Sequence, residues 1–197
     1  MSAPASVLAA AAEVEAFCRQ RSWKFCFIGG LAVQRWGKPR FTQDVDLTLL
    51  TGFGNEASYV DPLLQHFSGR FENAREFAIK RRVLLAKTSS GIDIDFSLGA
   101  FPFEADTIER ATPWPIGDSI SLTTCSAEDL IIHKAFAGRA RDWADIETIL
   151  ARQHTTLNLA HVRRELPALL ELKDDSTAMG QLDDMIALVA KRLTRDD

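Results

Sequence analysis

The chain has 197 residues, 46% of them hydrophobic, which is enough to bury a core in one domain with a helical appendage. Its 23 basic and 27 acidic residues leave a formal charge of -4, which excludes a general electrostatic pull toward nucleic acid or acidic membranes and makes any nucleic-acid contact local. No run is long and apolar enough to predict a membrane span, the N-terminal stretch has no basic start and carries Glu13 and Glu15, and Cys18, Cys26 and Cys125 are widely spaced in apolar surroundings, so a cytoplasmic protein with reduced, buried thiols is expected.

Residues 3–20, rich in Ala, Val and Leu, predict an amphipathic helix. The apolar run 25–28 reads as a buried strand ending in the tight turn Gly29-Gly30; residues 31–36 then make helical turns stopped by Gly37, and Pro39 keeps the chain extended up to a second strand over 44–50. Gly52, Gly54 and Asn55 form a loop, 59–67 a helix, and 82–87 with 92–98 a hairpin turning at Ser89, Ser90 and Gly91. Pro102 breaks the chain, 104–111 is a short helix, and a last strand over 120–124 leads to Ser126, an N-cap with Asp129 three residues on. Helices over 127–137, 142–150, 159–172 and 181–193 complete the chain. The organisation read from this is one domain over 1–150 with a helical extension, 151–197, packed on it.

Asp44 and Asp46 alternate with Val45 and Leu47, so on a strand both carboxylates leave one face with Cα atoms about 6.5 Å apart. The hairpin strand repeats the pattern: Ile92, Ile94 and Phe96 form an apolar face while Asp93 and Asp95 point the other way. Hard oxygen donors on adjacent strands, with no His or Cys beside them, suit magnesium better than zinc. Alternating acid and apolar residues also describe a half-solvated strand. The Gly29-Gly30 turn shifts the balance, because it sits at a strand end, opens a helix and lets backbone amides approach a phosphate closely.

Arg40, just upstream of the carboxylates, and Lys134, beside the apolar stripe of Leu130 and Ile131, are placed to meet triphosphate charge. An unpaired lysine on such a face needs an anion, and the triphosphate supplies one; Lys134→Ala is therefore expected to leave nucleotide-free stability almost untouched. Lys134 also reads as an ordinary snorkelling lysine. His133 has no base or nucleophile placed beside it, and Trp23, Trp36, Trp114 and Trp143 are scattered, which favours packing over a stacking platform.

From about residue 27 to 150 the chain resembles the DNA polymerase beta-like nucleotidyltransferase superfamily, and within it the AbiEii/AbiGii-type toxins. The likeness rests on Gly29, Gly30, Arg40, Thr42, Asp44 and Asp46 in that order, on Asp95 in Ile-Asp-Phe before Phe-Pro-Phe-Glu, and on Ser126 to Leu130, Lys134 and Ala137 to Asp142. It implies an α/β (α+β) nucleotidyltransferase fold, a mixed sheet flanked by helices with a helical C-terminal part. It further implies two magnesium ions, or manganese in their place, and transfer of a nucleoside monophosphate from NTP to an acceptor hydroxyl with loss of pyrophosphate. Asp44, Asp46 and Asp95 would be the metal ligands and Asp95 the base or hydroxyl-orienting group, with Asp93 the fallback; Gly29, Gly30, Arg40, Thr42 and Lys134 would bind substrate. The implied partners are NTP, an acceptor RNA or small molecule, and a cognate antitoxin. CCA-adding enzymes carry an Arg-Asp pair after the glycine turn where this chain has Gln34-Arg35, whereas lincosamide and aminoglycoside adenylyltransferases share the turn and the paired carboxylates. A small-molecule acceptor and a non-catalytic nucleotide-binding module are the competing readings.

Overall fold

The computed structural model describes residues 6–196. Period-two alternation builds its sheet: Val45, Leu47 and Leu49 are fully buried on one face of β2 (Asp44–Leu50), and Ile94, Phe96 and Leu98 do the same on β5 (Asp93–Gly99). With β1 (Phe25–Phe27), β3 (Ser68–Gly69), β4 (Val83–Lys87), β6 (Thr112–Ile116) and β7 (Ile120–Thr124) these form a seven-stranded sheet in the order β3-β4-β5-β2-β1-β7-β6. It is mixed, since β2 runs parallel to β5 and β1 parallel to β7 while every other pair is antiparallel. The mixed α/β architecture expected from the sequence is the one observed.

The helices are α1 (Val7–Gln20), α2 (Gly29–Trp36), α3 (Glu56–His66), α4 (Ala74–Arg81), α5 (Pro102–Glu109), α6 (Ala127–Ala137), α7 (Ala140–Gln153), α8 (Leu159–Glu171) and α9 (Ala178–Asp196). Residues 3–5 of the first predicted helix lie outside the described residues. The Ser6 hydroxyl caps α1 through Ala9 N–H, and Ser126 caps α6 through Asp129 N–H.

Three elements go beyond the sequence reading. Helix α4 buries only Ala74 and Ala78, four residues apart, too thin an apolar stripe to announce a helix. Strand β6 contains Pro113 and Pro115, which remove ladder donors; it survives because it is an edge strand, paired on one side only to β7. Strand β3 is just two residues long. Pro102 does not break the chain but opens α5, where its missing N–H costs nothing, and the Glu104 carboxylate accepts from the N–H groups of Ala100 and Phe101.

Two compact units are present: residues up to Leu31 with Phe41–Cys125 carry the sheet, and Ala32–Arg40 with the residues from Ser126 onward carry the C-terminal helices. The chain thus crosses between units inside α2, and residue 150 lies within α7. In the sheet unit Val14, Phe17 and Cys18 of α1 join the core with Phe27, Leu47, Phe96 and Leu122. In the helical unit Leu130, Ile131, Ile146, Val162 and Leu166 are fully buried. Cys18, Cys26 and Cys125 are free and buried, and burial pushes the Cys18 thiol up to about 12. Among the described residues no helix is long and apolar enough to cross a membrane.

Candidate active site

The turn between β1 and α2 shows why two glycines stand there. Gly29 has φ +58°, and a Cβ built on it would lie 2.0 Å from Asp46 Oδ2; one on Gly30 would lie 2.3 Å from Thr42 Oγ1. Thr42 in turn donates its hydroxyl to Asp44 Oδ1 at 2.9 Å. Ile28 N–H donates to Asp46 C=O at 3.0 Å, which pins the end of β1 against β2. The glycine pair therefore makes room first for Asp46 and Thr42, and the cradle reaches both carboxylates of β2.

Parallel pairing sets Asp44 opposite Asp93 and Asp46 opposite Asp95. All four lie on the face away from Val45, Leu47, Ile94 and Phe96, so the pleat gathers the acids that the sequence pattern singles out. Arg70, the residue after β3, reaches across this face. Its Nη1 donates to Asp93 Oδ2 at 3.1 Å and its Nη2 to Asp95 Oδ1, while Lys87 Nζ stands 2.9 Å from Asp93 Oδ1. Both oxygens of Asp93 are thus taken by cations, but only one of Asp95. Burial raises the pKa of Asp95, and repulsion from Asp44 and Asp93 adds to this against the opposing pull of Arg70. The Lys87 hydrogen bond, helped by Arg70, holds Asp93 below its usual range.

Arg40 and Lys134 belong to the helical unit and share a carboxylate there. Arg40 donates to Asp145 through Nε at 2.7 Å and Nη2 at 2.8 Å, a bidentate fork. Lys134 is only 5% exposed, and its Nζ lies 3.0 Å from Asp142 Oδ1 and 2.7 Å from Asp145 Oδ2. Burial works against the Asp145 anion, yet Arg40 and Lys134 outweigh it and the pKa is lowered. This corrects the idea of an unpaired Lys134 in need of an external anion: α7 supplies two. Asp145 was not singled out in the sequence, although its spacing of three from Asp142 puts both on one side of α7. Arg70 had no local signal at all.

Asp44, Asp46 and Asp95 offer hard oxygen donors from two paired strands beside a glycine cradle, a donor set that fits a divalent cation. As the side chains lie, no trio of His, Cys, Asp or Glu among the described residues converges on one ion position.

In fold the chain is similar to a crystal structure of an antigenic nucleotidyltransferase-like protein from Paracoccidioides brasiliensis, with 13% identity, a TM-score of 0.51, and coverage of 90% of this chain and 92% of that one. It is also similar to ANT(2'')-Ia, crystallised in complex with adenylyl-2''-tobramycin, with 16% identity, a TM-score of 0.54, and coverage of 84% and 98%. At such identities these likenesses show the fold alone. No curated protein matches the chain in sequence. The family model described as nucleotidyl transferase AbiEii toxin, type IV toxin–antitoxin system, matches residues 19–196, and with the glycine turn and the acids of β2 and β5 on one face the chain belongs to that nucleotidyltransferase family.

Proposed function

We propose that this chain is a metal-dependent enzyme that transfers a nucleoside monophosphate from NTP to an acceptor hydroxyl, with RNA such as tRNA as the acceptor class. The observation that carries the reading is the register of β2 with β5, which places Asp44 and Asp46 beside Asp93 and Asp95 next to a turn with no side chains. Asp44, Asp46 and Asp95 would hold magnesium, or manganese in its place, which when bound supplies positive charge to the attacking and leaving oxygens.

The acceptor oxygen forms a new bond to the α-phosphorus, the bond from that phosphorus to the oxygen bridging to the β-phosphate breaks, and pyrophosphate leaves with the electron pair. Asp95 takes or orients the hydroxyl proton. Asp95 is preferred to Asp93 because Arg70 and Lys87 occupy both Asp93 oxygens. The N–H groups at the start of α2, behind Gly29 and Gly30, face anionic phosphate. Arg40 and Lys134 are kept in this reading as substrate-binding residues for triphosphate charge.

The family's toxin–antitoxin description supports a cognate antitoxin as partner, and a cytoplasmic enzyme is the setting in which NTP is at hand. The test is incubation of the protein and magnesium with each α-labelled NTP against total RNA, cell protein and small-molecule acceptors, with an EDTA control. Label in RNA that EDTA abolishes is the expected result. Label in an aminoglycoside-type acceptor would move the protein to the antibiotic adenylyltransferases, and no transfer to any acceptor would leave a nucleotide-binding interaction module.

A further inference from the structure

We infer that Arg70 is the positioning residue of Asp95, clamped for that task between Asp93 and Asp95; the inference rests on the role proposed for Asp95 above. Arg70 is held at both ends. Its backbone N–H donates to Leu85 C=O at 3.0 Å, which fixes the start of its side chain against β4. Its two terminal nitrogens then divide between two carboxylates that lie on one strand two residues apart.

Lys87 and Arg70 anchor Asp93 through different oxygens, and Asp93 in turn holds the guanidinium whose Nη2 meets Asp95 Oδ1. Asp95 Oδ2 carries no side-chain hydrogen bond among the described residues and is the oxygen presented for chemistry. A planar fork meets the two carboxylates through two nitrogens at a fixed spacing, whereas an ammonium would have to meet both at a single nitrogen.

The geometry has a cost. Arg70 Nε is buried with no hydrogen-bond partner. Burying a donor without a partner is unfavourable, so the side chain gives up its third hydrogen bond to place both terminal nitrogens on the acids. A surface ion pair would choose a rotamer that wets Nε. Without this hold the Asp95 carboxylate would be free to turn away from the site.

The test uses the full chain with α-labelled ATP, magnesium and total RNA, comparing wild type, Arg70→Ala, Arg70→Lys and Asp95→Asn. Arg70→Ala is expected to lower kcat about 10- to 100-fold with the KM for ATP unchanged, as loss of an outer partner of an active-site ligand does, and Arg70→Lys to recover part of it. In urea unfolding of the nucleotide-free protein, the double variant Arg70→Ala/Asp95→Asn is expected to be no less stable than Arg70→Ala alone, because the pair is already broken. If Asp95→Asn abolishes transfer while Arg70→Ala keeps wild-type kcat, the positioning role is overturned and the reaction assignment stands. If Asp95→Asn is fully active, the assignment of Asp95 falls and this inference with it. Additive unfolding effects would overturn the clamp. Should Arg70→Ala fail to fold, Arg70→Lys decides: a kcat loss at unchanged melting temperature supports the role, and unchanged kcat removes it.

Discussion

Asp46 Oδ2 lies 2.0 Å from the point where a Cβ on Gly29 would stand, so the carboxylate rests in the space that the missing side chain leaves. Any residue other than glycine at 29 meets two obstacles, this clash and a left-handed φ of +58°. Gly29→Ala is expected to displace Asp46 and abolish transfer, and to lower stability by about 1–3 kcal/mol. Gly30→Val would push on Thr42 and, through its 2.9 Å bond, on Asp44. Isothermal titration with manganese should show weaker binding in both variants; wild-type affinity would refute the cradle.

Burial raises the pKa of Asp95, and repulsion from Asp44 adds to it. A carboxyl with a raised folded-state pKa stabilises the fold below its unfolded value and loses that contribution as pH rises through the folded one. At neutral pH the gathered acids therefore oppose folding. Asp44→Asn should abolish transfer yet make the metal-free protein more stable, a trade of stability against function. Chemical denaturation in EDTA would show it, and a drop in stability would mean that Asp44 has a structural role instead.

Lys134 neutralises Asp142 and Asp145 in the helical unit, where Asp142 and Asp145 are 9% and 4% exposed. Removing one partner of such a group leaves buried charge, which costs about 3–5 kcal/mol. Lys134→Ala should accordingly melt well below wild type even without nucleotide, contrary to what an unpaired lysine would show. Lys134→Arg should recover part of the loss. An unchanged melting temperature for Lys134→Ala would restore the picture of a lysine waiting for phosphate.

The lowered pKa of Asp145 gives a pH signature of the opposite sign to that of Asp95. Its ion pairs with Arg40 and Lys134 stabilise the fold above the ordinary Asp range, about pH 4, and that contribution is lost as pH falls through the lowered value. As pH falls below about 4, the urea midpoint of wild type should fall more steeply than that of Asp145→Asn, which lacks the titrating group. Parallel curves would show that other carboxylates carry the acid sensitivity.

Local pattern alone made β2 and β5 legible, because period two is a property of neighbours: Val45, Leu47, Ile94 and Phe96 must share one side of a pleat, and Asp44, Asp46, Asp93 and Asp95 the other. The glycine turn, the cap at Ser126 and the helices after it are legible for the same reason. Edge strand β6 and helix α4 were not, since Pro113 and Pro115 argue against a strand until one knows that its outer side has no neighbour, and α4 buries too little to show a stripe.

Only the tertiary structure decided which cation meets which acid. Arg70 lies 25 residues before Asp95, and Arg40 lies 105 before Asp145; nothing in a local window ties such residues together. Periodicity turned Lys134 inward correctly, but its partners depend on how α6 meets α7. Side-chain direction follows from a few adjacent dihedrals and can be read along the chain, whereas charge pairing is set by the packing of distant elements, where burial makes every unmatched ion too costly to keep.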